Sequence, residues 1–149
     1  SYISTLFHES AHTLHEERAY PPEFDKLSSL EYQKQDAFSY WWRTGQSSNY
    51  AGFVSDYAST DADEDFAELF AFYILYSDTE WEELMKKAEG KNRSEATLTG
   101  REIIEKKLAI MKEYLRSEYS ADLDKIRAEA QKRLAKVASM DFTQYPKGY

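Results

Sequence analysis

The chain has 149 residues, enough for one domain with a hydrophobic core of its own. Its 19 Lys and Arg residues against 27 Asp and Glu residues give a formal net charge of −8, which argues against nucleic acid or an anionic membrane surface as partner. The absence of cysteine excludes disulfides and thiolate metal sites, so any metal must be bound by histidine and carboxylate side chains.

The first predicted helix covers roughly residues 4–18. Four apolar side chains recur there at helical spacing: Leu6, Phe7, Ala11 and Leu14. No glycine or proline interrupts this pattern until Pro21 and Pro22, which cannot continue a helix. The segment is therefore a single helix that ends shortly before the two prolines.

This helix contains the motif H-E-x-x-H. His8 and His12 lie four residues apart, so their imidazoles share one helix face and can bind the same metal ion. Glu9 follows the first histidine and is placed to take a proton from a metal-bound water. The motif is typical of zinc peptidases, and it requires a third protein ligand from elsewhere in the chain.

His15 lies three residues after His12 on the same helix face. At a rise of about 1.5 Å per residue, His15 is roughly 10 Å from His8 along the helix axis. One zinc ion with ligand bonds of about 2 Å does not span that separation. His15 is therefore predicted to be a neighbour of the metal rather than a ligand, either as a partly exposed helix histidine or as a substrate contact.

The remaining predicted helices cover five segments: 28–43, 64–76, 77–88, 101–119 and 123–137. Residues 44–63 and 90–100 are polar and predicted to be loops, and the tail 141–149 has no helical period. Strand signals are sparse, which indicates a mostly α fold.

The predicted organisation is one zincin-like helical domain over residues 1–149. Its metal site occupies residues 1–76, and its C-terminal helices occupy residues 79–138. In most zinc peptidases a strand or sheet precedes the metal-binding helix and lines the substrate cleft. We therefore expect an N-terminal, sheet-containing part to be missing from this chain, together with any signal peptide or lipid anchor.

Glu64 and Glu68 are the candidates for completing the site, since they share one face of the predicted helix 64–76. Glu64, at the helix start, can bind the metal, and Glu68, one turn deeper, can accept the free ring N–H of a ligand histidine. The alternative is a capping carboxylate and an ordinary surface glutamate. That alternative explains Glu68 poorly, because a carboxylate among apolar side chains needs a partner.

The two motifs together resemble the gluzincin arrangement of metallopeptidases. The similarity is closer to lethal-factor-type metalloprotease domains, whose second motif reads E-x-F-A-E and follows a tyrosine by seven residues. In this chain that tyrosine is Tyr57, and the motif begins at Glu64. The resemblance implies that Glu64 binds zinc, that Glu68 supports a histidine, and that Tyr57 donates its hydroxyl to the developing oxyanion. The alternative for Tyr57 is a loop tyrosine packed on the core.

Three runs resemble a narrower family, over residues 7–15, 52–59 and 64–68. They are similar to the zinc-binding metallopeptidases of Bacteroidetes, also described as substrate-import-associated zinc metallohydrolase lipoproteins. The similarity continues through residues 100–104 and the C-terminal helices. It implies an outer-membrane lipoprotein associated with TonB-linked nutrient uptake, and Gly52 is a further candidate substrate contact.

The sequence thus predicts a Zn²⁺-dependent metallopeptidase of the cell envelope that cleaves a peptide, protein or glycoprotein, with Glu9 as general base. One alternative is a non-catalytic, zinc-containing binding component of a nutrient-uptake complex. Another is an all-helical interaction protein with an accidental motif. Glu9 favours the enzyme, because a structural zinc site has no use for a base at that position.

Overall fold

The computed structural model describes residues 1–140, and the predicted irregular tail 141–149 lies outside them. Within the described residues the chain forms α-helices and short 3-10 turns without a β-strand, which confirms the mostly α fold class. The helices are α1 (Tyr2–Glu17), α2 (Glu23–Lys26), α3 (Tyr40–Thr44), α4 (Ala62–Leu75), α5 (Asp78–Lys87), α6 (Gly100–Tyr119) and α7 (Leu123–Ala138).

Helix α4 is the central element of the fold. It packs along α1 and also contacts α7 and the 3-10 turn Tyr57–Ser59. Its apolar residues are buried on most sides: Phe66, Ala67, Leu69, Phe70, Ala71 and Ile74. Asp61 caps the N-terminus of the helix, since its side chain accepts the Glu64 N–H at 2.8 Å. This cap places the first turn of α4, with its carboxylates, against α1.

The long helices begin and end close to their predicted boundaries, within two residues for α1, α4, α5, α6 and α7. Local signals explain this agreement. Ser77 and Glu80 form a capping box at the start of α5, and Thr99 and Glu102 form another at the start of α6. Within residues 1–140, no helix is long and apolar enough to cross a membrane.

The predicted helix over residues 28–43 is wrong for most of its length, since the structure has only the 3-10 turn Lys34–Asp36 and the start of α3 there. The backbone N–H groups of Gln33 and Lys34 donate instead to the carbonyls of Ser59 and Thr60, at 2.6 and 2.9 Å. Lys34 also has a φ of 54°, a left-handed conformation that interrupts a right-handed helix. Hydrogen bonds to a distant segment therefore outweigh the local helical pattern.

A buried ion pair joins α4 to α6. Asp65 and Lys107 are each 1% exposed, and Lys107 Nζ lies 2.7 Å from Asp65 Oδ2. Lys107 also donates to the carbonyl of Gly52 at 2.8 Å, and the Tyr32 hydroxyl donates to Asp65 Oδ2 at 2.8 Å. Both buried charges thus have the partners that their burial requires. The pair holds the start of α4 against α6 and the loop before α4.

Candidate metal centre

Three side chains converge where α1 crosses the first turn of α4. The Nε2 atoms of His8 and His12 are 3.1 Å apart. Glu64 places Oε1 at 2.6 Å from His12 Nε2 and Oε2 at 3.3 Å from His8 Nε2. All three side chains are largely buried. The structure therefore brings Glu64 to the histidine pair, as the predicted site requires.

The residues fit a zinc ion. Glu64 Oε2 is buried and has no hydrogen-bond partner among the described residues, although it faces His8. Zinc bonds to nitrogen and oxygen of about 2.0–2.2 Å place tetrahedral ligand atoms roughly 3.3 Å apart. The separations of His8 from His12 and from Glu64 are close to that value, and the separation of His12 from Glu64 is shorter. Two imidazoles and one carboxylate are a donor set that zinc prefers.

Glu9 also lies near the histidine pair. A Glu9 carboxylate oxygen and a nitrogen from each of His8 and His12 lie within 4.8 Å of one another. Glu9 is exposed, whereas Glu64 is enclosed and its oxygens are closer to both imidazoles. These contacts favour Glu64 as the ligand and leave Glu9 open to solvent, where it can exchange protons.

Glu68 lies behind His8, on the side away from the centre. His8 Nδ1 is 3.0 Å from Glu68 Oε2, and Glu68 Oε1 accepts the Ser55 hydroxyl at 2.9 Å. A carboxylate at Nδ1 keeps the ring proton there and leaves the Nε2 lone pair facing the centre. Sequence reasoning missed Ser55. It lies two residues before Tyr57, but its spacing gives no indication of which carboxylate it contacts.

His15 lies behind His12. His15 Nε2 is 2.8 Å from His12 Nδ1, and the His15 ring packs edge-on against the rings of Tyr20 and Phe66. The side chain is only 9% exposed. His15 is therefore neither a partly exposed helix histidine nor available as the predicted substrate contact. It is enclosed, and its nearest polar partner is a candidate metal ligand.

Tyr57 lies beside the centre. Its ring packs against the His8 ring at a centroid distance of 5.8 Å. Hydrogen bonding to the Glu64 carboxylate, followed by burial, raises the pKa of Tyr57 to about 12. The hydroxyl therefore keeps its proton at neutral pH and can act as a donor. The Tyr57 ring also stacks on Phe38, an exposed aromatic side chain that sequence reasoning did not connect with the site.

Gly52, a candidate substrate contact, lies within the packing of its loop in the structure. It is buried, and its φ of 91° is a conformation that favours glycine. A Cβ at this position would collide with the side chain of Ile103. Its carbonyl accepts the hydrogen bond from Lys107. Gly52 thus serves the packing of the loop onto α6.

A family model described as "putative zinc-binding metallo-peptidase" matches residues 1–124, which include every candidate site residue. Among solved structures, the chain is similar to a putative zinc-binding metallo-peptidase from Bacteroides caccae ATCC 43185, with a TM-score of 0.76 and 29% sequence identity. The match covers 94% of this chain and 49% of the other, so this chain spans about half the length of that protein. No curated protein matches.

Proposed function

The chain belongs to the family described as putative zinc-binding metallo-peptidases, and from this membership we propose that it is a zinc-dependent peptidase with Glu9 as general base. The family description names zinc, which confirms the predicted cofactor. The observation that supports the catalytic role is the convergence of His8, His12 and Glu64 beside the exposed Glu9. A purely structural zinc site has no need of a free carboxylate at this position.

In this proposal His8, His12 and Glu64 hold the metal. A zinc ion held by these side chains would supply Lewis-acid chemistry, lowering the pKa of a water molecule toward about 7 and polarising a carbonyl group. The Glu9 carboxylate takes a proton from the attacking water and later delivers it to the nitrogen of the leaving amine. Its exposed position gives it access to both water and substrate.

Tyr57 has the second role in this chemistry. Because its pKa is about 12, its hydroxyl remains a hydrogen-bond donor throughout the neutral range. In the structure its ring lies against the ring of His8, at a centroid distance of 5.8 Å. On substrate binding the hydroxyl turns to the scissile carbonyl oxygen, where negative charge develops, and donates a hydrogen bond to it.

Substrate class and location rest on resemblance. The similarity to envelope metallopeptidases supports peptide, protein or glycoprotein substrates and an outer-membrane lipoprotein working with a TonB-linked uptake system. The competing proposal, a non-catalytic zinc-containing binding component, predicts stoichiometric zinc without chelator-sensitive hydrolysis. Incubation of the zinc-loaded chain with a peptide library, with and without chelator, distinguishes the two.

The test of the general base is Glu9→Gln. We expect this variant to bind zinc with unchanged stoichiometry and to lose hydrolysis by at least about 10²-fold, because proton transfer is removed while the ligands remain. Zinc is measured by elemental analysis and hydrolysis by the rate of peptide cleavage.

Two further variants complete the experiment. Glu64→Ala should lose both zinc and hydrolysis. Glu16→Gln changes an exposed carboxylate on the same helix and should alter neither. Full hydrolysis by Glu9→Gln would disprove the role assigned to Glu9.

A further inference from the structure

The histidine behind the metal centre has a role that neither the motif nor the family membership assigns. We propose that His15 is a positioning residue for His12: its Nε2 accepts the Nδ1–H of His12 and so fixes the tautomer and orientation in which His12 presents Nε2 to zinc. The inference rests on the proposed function only insofar as His12 binds the metal. It does not require that the protein cleave peptides.

The first support is the contact itself. His12 Nε2 faces His8 and Glu64, whereas His12 Nδ1 is 2.8 Å from His15 Nε2. An imidazole that binds a metal through Nε2 keeps its proton on Nδ1, and that proton needs an acceptor when the ring is buried. His15 Nε2 lies within hydrogen-bonding distance of that nitrogen.

The second support is that His15 is itself held in place. Its ring lies between Tyr20 and Phe66, at centroid distances of 5.7 and 5.9 Å. When Nε2 accepts from His12, the His15 proton sits on Nδ1, and this atom faces Asp63 Oδ1 at 3.8 Å. The same Asp63 oxygen accepts the Tyr20 hydroxyl at 2.6 Å. Since Asp63 is half-exposed and its contact with His15 is long, packing contributes most to holding the ring.

The two ligand histidines thus have different supports. His8 contacts a carboxylate of α4, Glu68, whereas His12 contacts the imidazole of His15 on its own helix. A carboxylate polarises an N–H more strongly than a neutral acceptor does. Loss of His15 should therefore weaken zinc binding, but by less than loss of Glu68.

The test compares His15→Phe, which keeps a ring but has no acceptor, with His15→Gln, whose amide oxygen can accept near the former Nε2 position. Zinc dissociation constants are measured on the full chain by competition with a chromophoric chelator. We expect His15→Phe to weaken binding by about 10–100-fold, and His15→Gln to remain close to the unmodified chain. Absorption of the Co²⁺-substituted proteins should change in His15→Phe and be preserved in His15→Gln.

Controls separate positioning from simple packing. Thermal unfolding of the metal-free proteins reports any loss of packing, and a purely structural role would lower stability while leaving zinc affinity unchanged. Glu68→Gln serves as the reference for His8, and Glu16→Gln as an exposed control on α1. Should His15→Phe fail to fold, His15→Leu removes the acceptor with a smaller apolar side chain.

The inference is overturned if the acceptor-free variant binds zinc less than about tenfold more weakly than the unmodified chain. It is also overturned if His15→Gln loses as much affinity as His15→Phe. Failure of the proposed peptidase activity would appear differently, as absence of hydrolysis by a protein whose zinc affinity still responds to His15.

Discussion

At the scale of single residues, both candidate histidine ligands have a partner outside the centre: His8 has Glu68, and His12 has His15. Such partners fix ring tautomers and side-chain orientations before a metal binds, which lowers the cost of ordering the site. Among His8, Glu9 and His12, Glu9 is the exposed side chain, which agrees with the proposed role as general base.

Tyr57→Phe removes a hydroxyl while keeping the ring that packs on His8. We expect kcat to fall by about 10²-fold or more, with zinc stoichiometry unchanged, because the donor acts on charge that develops in the transition state. Steady-state kinetics on a cleaved peptide measure the effect. Because Tyr57 deprotonates only near its pKa of about 12, its donor role should contribute no change in rate between pH 6 and pH 10, which lies wholly below that pKa.

The control for this variant is Tyr50→Phe, whose ring packs near Gly90 instead. Its kinetics should match those of the unmodified chain. An unchanged kcat in Tyr57→Phe would favour the alternative interpretation of Tyr57 as a loop tyrosine packed on the core.

At the scale of secondary-structure elements, the site depends on how α4 is held. Helix α1 supplies the histidines, and α4 supplies the carboxylates from its first two turns. Asp65, next to Glu64 in the chain, forms the buried ion pair with Lys107 of α6. The pair therefore fixes the part of α4 from which Glu64 faces the candidate metal centre.

Lys107→Met should destabilise the fold by about 3–5 kcal/mol, because it leaves the Asp65 carboxylate buried without its cation. Adding Asp65→Asn should recover part of the loss, since the amide is uncharged and can still accept the Tyr32 hydroxyl. Urea-induced unfolding measures the free energies. Lys106→Met, at an exposed neighbouring position, should change stability by less than about 0.5 kcal/mol. Equal stability of the two lysine variants would contradict this account of the pair.

At the scale of the whole molecule, the metal connects segments that are far apart in the chain. Its candidate ligands lie on α1 and α4, separated by more than fifty residues. Zinc that binds only the folded protein stabilises it by mass action, by about 4 kcal/mol when free zinc is 1,000 times the Kd. The free energy of unfolding should therefore increase with the concentration of free zinc.

We expect Tm to rise with zinc and to fall when a chelator is added, as measured by differential scanning calorimetry. In Glu64→Ala the difference between the two conditions should shrink, since one ligand is missing. Identical Tm values for the unmodified chain with and without zinc would show that the centre does not bind the metal in the folded state.

Sequence alone was sufficient where the determining interactions are local. The spacing of His8 and His12 places both imidazoles on one face of any helix, and the same holds for Glu64 and Glu68. Helix boundaries could be predicted from capping residues and from the helical spacing of apolar side chains, because both depend on residues close together in the chain. Pairing of the two motifs across α1 and α4 came from the need for a third metal ligand and from family resemblance, because spacing within one helix does not show which other helix it contacts.

Only the tertiary structure decided those features that depend on burial and on contacts with residues distant in the chain. The segment 28–43 loses most of its predicted helix because Gln33 and Lys34 bond to another part of the chain. His15 is enclosed behind His12, and Gly52 is buried against the side chain of Ile103 on α6. These outcomes could not be predicted from the sequence. Local patterns specify the direction in which a side chain leaves its own helix, whereas the residues that it contacts belong to elements far along the chain.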